Sequence, residues 1–174
     1  MKNFIFILFI FFSSILFGQE KTRILFILDA SNSMNAKWDE TQTRIQAAKE
    51  LLAQAVDSLT GTPNLEIALR VYGHQSAITA TFQDCNDTKL EVPFGEDNYT
   101  RVKNRILSIV AKGTTPIARS LEASAGDFPD TLARNFIILI TDGLESCDND
   151  PCVIAKKLKE MGTCNQRIGA ERSW

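Results

Sequence analysis

The chain alternates between short apolar runs and longer segments whose apolar residues recur at helical spacing. Residues 24–28 and 135–140 are nearly continuous apolar runs, the pattern of strands covered on both faces. In residues 65–72 apolar side chains stand at every second position, at Leu65, Ile67, Leu69 and Val71, and this alternation predicts a further strand. A shorter and more polar strand is predicted at residues 78–82, at a sheet edge, and residues 84–98 are predicted to be irregular.

Four segments have the periodicity of amphipathic helices. Gly61-Thr62-Pro63 ends the first, Pro116 opens the third, and Asp150 is the predicted N-cap of the fourth, which begins at Pro151 and ends at Gly162. Strands that alternate with helices predict an α/β fold, a three-layer, doubly wound domain with a mostly parallel sheet. The predicted inner faces are Ile45, Ala48, Leu52, Val56 and Leu59; Val102, Ile106 and Ile109; Ile117, Leu121 and Ala125; and Ile154, Leu158 and Met161.

The first 18 residues have the pattern of a secretory signal peptide. Lys2 precedes an apolar stretch from Phe4 to Phe17, and Gly18 comes before the polar pair Gln19-Glu20. The stretch is shorter than the ~20 residues of a membrane-spanning helix. We therefore expect an exported protein of the periplasm, cell envelope or extracellular space. An uncleaved anchor is the alternative, and it would be the chain's only contact with a membrane.

Charge and cysteine content narrow the possible partners. Without Lys2 the chain has 18 basic residues (19 less one) against 21 acidic ones, a net charge of −3, which argues against a nucleic-acid partner.

The four cysteines of an exported chain favour disulfides. Cys147 and Cys152 could close locally, or Cys85 could reach one of them and hold a long loop; a zinc site is weakly supported because no CxxC pair occurs.

Oxygen-bearing side chains follow two of the predicted strands. Asp29, Ser31 and Ser33 come directly after the first strand, Asp142 follows the strand at 135–140, and Thr115 lies on a separate loop. In a doubly wound sheet, ligands bind beyond the carboxyl ends of the strands where the strand order reverses. Oxygen-only ligands suit hard cations, so the expected ion is Mg²⁺, with Mn²⁺ or Ca²⁺ as alternatives.

These residues resemble the metal-ion-dependent adhesion site of the von Willebrand factor type A family. The resemblance rests on Asp29-Ala-Ser31-Asn-Ser33, on Gly113-Thr-Thr115-Pro-Ile and on Ile140-Thr-Asp142-Gly143, and it covers roughly residues 22–162. Tyr72-Gly73-His74 and the segment from Glu145 to Cys152 are similar to an exported bacterial branch of that family.

The resemblance implies roles for five side chains. The hydroxyls of Ser31, Ser33 and Thr115 would bind the ion, while Asp29 and Asp142 would act through water and by fixing the hydroxyls. Thr115 is preferred to Thr114 because the family's ligand directly precedes the proline. Neutral hydroxyl ligands leave the cation much of its charge, so an Asp or Glu of a protein partner would complete its coordination. The implied function is binding, without enzymatic activity.

Two other functions stay open at the level of sequence. A metal-dependent, phosphatase-like hydrolase could use Asp29 as its nucleophile, although Ser31 stands where such sites place a second carboxylate. GxSxG, GxxxxGK[ST], GxGxxG and HExxH motifs are absent from the sequence. His74 is interpreted as a structural or surface residue. Glu145, Asp148 and Asp150 are interpreted as a solvated acidic loop in which Asp150 caps a helix.

The segment at 163–174 departs from the family pattern. The family's fold calls for at least one more apolar strand, and this divergent tail has no strand-like run. We therefore expect the C-terminal strands to be missing, which would leave the strand at 135–140 at an uncovered edge. The expectation is a truncated form of a longer protein, and a non-functional fragment is the third alternative.

Overall fold

The computed structural model describes residues 20–147 and 149–162. The predicted signal peptide at 1–18, the divergent tail at 163–174 with Cys164, and Asp148 lie outside the described residues. Within the described part of the chain, every helix is too short or too polar to cross a membrane.

Four strands form one mixed sheet. Strands β1 (Thr22–Asp29), β2 (Leu65–Tyr72), β3 (Thr88–Val92) and β4 (Arg134–Ile140) lie in the order β3-β2-β1-β4. Strand β1 pairs in parallel with both β2 and β4, and β3 pairs antiparallel with β2. The predicted mostly parallel sheet is confirmed. Among the described residues β4 is an edge strand, and the strand order reverses between β1 and β4.

Two pairs of helices cover the two faces of the sheet. Helices α1 (Arg44–Leu59) and α2 (Tyr99–Ser108) pack on one face, and α3 (Ile117–Ser124) and α4 (Pro151–Glu160) pack on the other. Burial on both faces explains the continuous apolar run of β1, because its alternate side chains serve different cores. Phe26 and Leu28 face α1 and α2, whereas Leu25 and Ile27 face α3 and α4. The three-layer α/β architecture is confirmed.

Side-chain caps explain where two of the helices begin. Thr43 and Gln46 form a reciprocal capping box at the start of α1. Asp150 accepts a hydrogen bond from the backbone amide of Cys152 at 2.8 Å, with Pro151 in the first turn, as predicted for α4. Met161 was expected on the inner face of α4 but is 64% exposed, because the helix ends one residue earlier.

The edge strand predicted at residues 78–82 is wrong. That segment contains a tight turn in which the Thr79 amide donates to the Phe82 carbonyl, and Phe82 is 54% exposed. Strand β3 instead lies at Thr88–Val92, within the segment predicted to be irregular. The alternation of apolar and polar residues along β3 is short. Val92 is nevertheless buried against the core beside α2, and this burial directs the pairing of β3 with β2. Tertiary packing outweighs the local pattern here.

A charged cluster fastens β3 to its surroundings. Glu91 on β3 binds the ring of His74 at 2.9 Å, the guanidinium of Arg105 on α2 at 2.7 Å and the ammonium of Lys89 at 3.2 Å. Burial favours a higher pKa for Glu91, but these three partners outweigh it and lower the pKa to about 2. His74 is therefore a buried structural residue in this cluster, as the sequence interpretation expected.

We predict that Glu91→Gln destabilises the protein in a pH-dependent way. A carboxylate with a lowered pKa stabilises the fold above its unfolded pKa, and that stability is lost as the pH falls from about 4.5 toward about 2. The variant should lose about 2 kcal/mol of unfolding free energy at pH 7, and the gap should narrow by pH 3. Urea unfolding at pH 7 and pH 3 measures the difference in unfolding free energy between variant and wild type. An equal difference at both pH values would contradict the lowered pKa of Glu91.

Candidate metal site

Asp29 ends β1 at the centre of the sheet and is fully buried. One carboxylate oxygen accepts the backbone amide of Ser31 at 2.7 Å, and the other accepts the hydroxyl of Thr141 at 2.8 Å. Burial raises the pKa of Asp29, and these hydrogen bonds oppose that rise. Since Thr141 directly follows β4, Asp29 ties the loop after β1 to the loop after β4.

The hydroxyls of Ser31 and Ser33 lie 3.0 Å apart. Ser33 donates in turn to one carboxylate oxygen of Asp142 at 2.9 Å. A short 3₁₀ helix at Asn32–Asn35 carries Ser33 and turns the chain back after the strand. Four of the five predicted site residues are thus joined by a continuous set of hydrogen bonds at the β1/β4 crevice.

Thr115 reaches the same end of the sheet through its backbone. Gly113, two residues earlier, forms a parallel bridge with Ser31, and its carbonyl accepts the amide of Asn32 at 2.8 Å. Ser146 holds the backbone of Thr115 through hydrogen bonds of 3.1 Å. The Ser146 amide donates to the Thr115 carbonyl, and the Ser146 hydroxyl accepts a hydrogen bond from the Thr115 amide. Among the described residues, the buried Thr114 hydroxyl has no hydrogen-bond partner. Thr115 stays the predicted ligand.

Gly73 allows these loops to approach closely. Its φ is +68°, and a Cβ placed there would lie 2.5 Å from the Thr114 carbonyl oxygen and 2.7 Å from the Ser31 amide nitrogen. Both obstacles are backbone atoms, which cannot rotate away. Gly73 therefore lets the loop after β2 pack against the two loops that carry the serines and the threonines.

The donor set suits a hard cation. The oxygens of Ser31, Ser33 and Asp142 are joined by hydrogen bonds of 3.0 and 2.9 Å, and oxygen ligands are those that hard cations such as Mg²⁺ and Ca²⁺ prefer. Among residues 20–147 and 149–162, no group of three or more His, Cys, Asp or Glu side chains could hold a metal. The residues present therefore fit a site built mainly of hydroxyls, and a softer Cys/His site is not supported in this part of the chain.

Several residues at the site were missed by sequence reasoning. Thr141 binds Asp29, Ser146 holds Thr115, and Arg44 forms a 2.6 Å ion pair with Asp142. Glu145 caps α3, because its carboxylate accepts the amide of Ala118 at 2.6 Å. Thr141 and Glu145 lay next to the motif and could have been suspected, but Arg44 gives no local signal because it is 98 residues from Asp142.

A disulfide joins two loops beside the site. Cys85 in the loop before β3 is bonded to Cys147 in the loop after β4, at a sequence separation of 62. Of the pairings left open by the sequence, the long-range one is therefore observed. Cys152 is exposed and unpaired among the described residues. Because Cys147 adjoins Ser146, the disulfide restrains the residue that holds Thr115.

Comparison with protein families identifies this arrangement. The model of the von Willebrand factor type A domain matches residues 24–145 of the 174-residue chain. The chain belongs to the von Willebrand factor type A family. The matched segment includes all five predicted site residues, and the resemblance of the chain to this family is confirmed.

Two proteins of Bacillus subtilis strain 168 are similar in sequence to this type A domain. YwmD is 30% identical over 147 residues, which is 81% of this chain and 63% of YwmD. YwmC is 27% identical over 165 residues, which is 88% of this chain and 71% of YwmC. The chain thus spans between three-fifths and three-quarters of the length of these relatives.

Solved structures support the same fold. Proximal thread matrix protein 1 from the mussel byssus, with a zinc-occupied MIDAS motif, matches with a TM-score of 0.63 at 22% identity, over 82% of this chain and 34% of that one. The type V pilus tip protein Mfa5 of Porphyromonas gingivalis matches with a TM-score of 0.52 at 17% identity, over 72% and 39%. The pilus adhesin SpaC of Lactobacillus rhamnosus GG matches with a TM-score of 0.59 at 19% identity, over 74% of this chain and 16% of SpaC. At these identities the likeness shows the fold.

We predict that Gly73→Ala strongly destabilises the domain. The new methyl group would meet backbone atoms of Thr114 and Ser31 at under 3.0 Å, in addition to the strain of its positive φ. The loss of unfolding free energy should be about 3 kcal/mol or more. Gly61→Ala is the matched control, because Gly61 also has a positive φ (+78°) but nothing within 4 Å of the added Cβ. Equal losses in the two variants, measured by urea unfolding, would refute the close-approach argument.

We predict that the Cys85–Cys147 bond contributes substantially to stability. Replacing both cysteines by serine should lower the unfolding free energy by about 2–4 kcal/mol, because the disulfide restrains a long loop in the unfolded chain. Cys152→Ser should change it by less than about 0.5 kcal/mol, since Cys152 is exposed. Peptide mapping without reductant provides an independent check: a Cys147–Cys152 linkage would contradict the assigned pairing.

Proposed function

We propose that this domain is a divalent-metal-dependent protein-binding module. Ser31, Ser33 and Thr115 would hold the ion through their hydroxyls, and Asp29 and Asp142 would act through water and by orienting those hydroxyls. When bound, the ion supplies a positive centre at the protein surface. An Asp or Glu side chain of a partner protein would complete its coordination. Mg²⁺ is the proposed ion, with Mn²⁺ or Ca²⁺ as alternatives.

The observation that carries the proposal is the row of oxygens from Ser31 through Ser33 to Asp142. Hydrogen bonds of 3.0 and 2.9 Å bring these oxygens together at the β1/β4 crevice, where two hydroxyls and a supporting carboxylate can face one hard cation. These oxygens support a hard divalent cation in general, with Mg²⁺ as the proposed ion.

The charge of the site supports an acidic partner. Asp29 is buried with both oxygens engaged by the protein, and Asp142 is the more exposed of the two site carboxylates. A divalent ion held largely by neutral hydroxyls keeps much of its charge. Such an ion attracts a carboxylate from outside, and Mg²⁺ keeps exchangeable waters that the carboxylate can replace.

The relatives support an exported binding protein. One structural relative has a zinc-occupied MIDAS motif, and others are a pilus tip protein and a pilus adhesin. We extend from these to a divalent ion at the corresponding site here and to a location outside the cytoplasm. The signal-like pattern at 1–18 agrees with that location.

The hydrolase alternative is less well supported by the geometry. A nucleophilic carboxylate needs an accessible oxygen, whereas Asp29 is fully buried and bonded on both oxygens to Ser31 and Thr141. We therefore propose a non-enzymatic role. Turnover of p-nitrophenyl phosphate by the purified protein with Mg²⁺, lost in Asp29→Ala, would reverse this choice.

The metal proposal is tested by thermal unfolding and calorimetric titration with Mg²⁺, Mn²⁺ and Ca²⁺. A ligand that binds only the native state at 100 times its Kd adds about 2.7 kcal/mol of stability, which should raise Tm by several degrees. The Ser31→Ala/Ser33→Ala double variant should lose that rise. The control is Ser58→Ala/Ser108→Ala, which removes two exposed serine hydroxyls bonded only within or at the end of their own helices.

The two sets of variants separate the possible results. A metal-dependent rise in Tm that survives Ser31→Ala/Ser33→Ala would place the ion elsewhere. A well-folded wild-type protein whose Tm ignores all three ions would refute the proposal. A protein without a cooperative melt under any condition would instead support the non-functional fragment.

The acidic partner is tested with hexaglutamate, which should bind to the protein in Mg²⁺ but not in EDTA. Hexaglutamine, which has no charge on its side chains, is the control.

A further inference from the structure

Arg44 is the first residue of α1, and its guanidinium lies at the candidate metal site. One terminal nitrogen of the guanidinium donates to an Asp142 carboxylate oxygen at 2.6 Å. The Asp142 side chain is only 11% exposed, whereas that of Arg44 is 39% exposed. The remaining guanidinium nitrogens have no hydrogen-bond partner among the described residues, so the contact with Asp142 is the one that fixes the Arg44 side chain.

The helix itself does not explain an arginine at this position. The N-terminus of a helix carries a partial positive charge, which disfavours a cation in the first turn by a few tenths of a kcal/mol to about 1 kcal/mol. The capping box of Thr43 and Gln46 already satisfies the start of α1. The benefit of Arg44 must therefore come from its tertiary contact with Asp142.

Asp142 is shared between two groups. Its first carboxylate oxygen accepts the Ser33 hydroxyl at 2.9 Å, and its second accepts Arg44. Any cation on the Ser31 and Ser33 hydroxyls would interact with the same carboxylate that the guanidinium neutralises. Like charges that share one carboxylate repel each other, so the two cations weaken each other's binding.

We propose that Arg44 is an internal cation that stabilises the metal-free site and competes electrostatically with the divalent ion. This inference rests on the proposed metal-dependent function. Without a metal, Arg44 neutralises a largely buried Asp142, which would otherwise be an unpaired charge close to buried Asp29. When a metal binds, the ion takes over part of that role and the Arg44–Asp142 pair weakens. Arg44 thereby sets the ion concentration at which the site fills.

The test compares Arg44→Gln and Arg44→Lys with the wild-type chain, using Mg²⁺ or Mn²⁺ alone as the probe. Arg44→Gln removes the competing charge and should tighten the metal Kd about tenfold in calorimetry. Its metal-free Tm should fall, and saturating Mg²⁺ should close part of that gap, because the ion replaces the lost positive charge. Arg44→Lys keeps the charge and should stay within about threefold of the wild-type Kd.

Arg134→Gln is the matched control, since it makes the same charge change at an exposed position. Arg134 begins β4, whereas the site lies beyond the other end of that strand. Its contact is with the ring of Phe136, 5.7 Å from the guanidinium carbon, so the metal Kd should stay within about twofold of wild type. A tenfold change in this variant would mean that net charge, and not the Arg44–Asp142 pair, controls binding, and would overturn the inference.

The outcomes distinguish this inference from the proposed function. A wild-type chain that binds neither Mg²⁺ nor Mn²⁺ would refute the metal site itself. Metal binding by the wild type, with an equal or weaker Kd in Arg44→Gln, would overturn the competing role of Arg44 and leave the metal site standing. If Arg44→Gln is unfolded without metal, recovery of the native circular dichroism spectrum on adding Mg²⁺ would support competition, and failure to recover would overturn it.

Discussion

The structure of the site depends on the buried carboxylate of Asp29. Strand β1 is paired in parallel on both sides, so its end is enclosed by β2 and β4. A bare carboxylate there would be costly, and the hydrogen bonds from Ser31 and Thr141 offset that cost. The same bonds fix the loop after β1 and join it to the loop after β4. A desolvated charge thus organises the position of the more accessible hydroxyls.

The remaining contacts act on the loops that Asp29 brings together. Gly73 permits backbone to pack against backbone, Ser146 holds Thr115, and the Cys85–Cys147 bond restrains the loop that carries Ser146. None of these groups carries charge. They restrict how far the Thr115 segment can move from the serines, which is the kind of support that a preorganised binding site requires.

One of the two site carboxylates is paired with a cation of the protein itself. Asp142 lies between the Ser33 hydroxyl and the Arg44 guanidinium, so the metal-free site has a cation of its own. The cluster around Glu91 uses the same principle at the other edge of the sheet, where His74, Lys89 and Arg105 surround one carboxylate. The difference is accessibility: Asp142 adjoins the exposed Ser33, whereas Glu91 is surrounded by protein cations.

Much of the fold follows from patterns that operate over a few residues. The apolar runs of β1 and β4, the cap of α4 and the stop at Gly61 depend on local periodicity and backbone preference, and sequence reasoning placed them to within two residues. It put the start of α1 near Asp39 and Glu40 and missed the Thr43 cap, because the capping box forms four residues later. Four of the oxygen-bearing residues were also visible, because their motifs follow the ends of β1 and β4, whose location a parallel sheet dictates. Thr115, on the loop before α3, was singled out by the resemblance to the family.

Other features exist only because distant segments meet. The sequence placed the edge strand at 78–82, but packing of Val92 against the core selected Thr88–Val92. The choice of Cys147 as the partner of Cys85, and the pairing of Arg44 with Asp142, likewise depend on contacts across 62 and 98 residues. Local pattern determines which face of an element is apolar. Which charged or reactive groups come into contact is determined by the way the loops pack, and no short-range pattern encodes that packing.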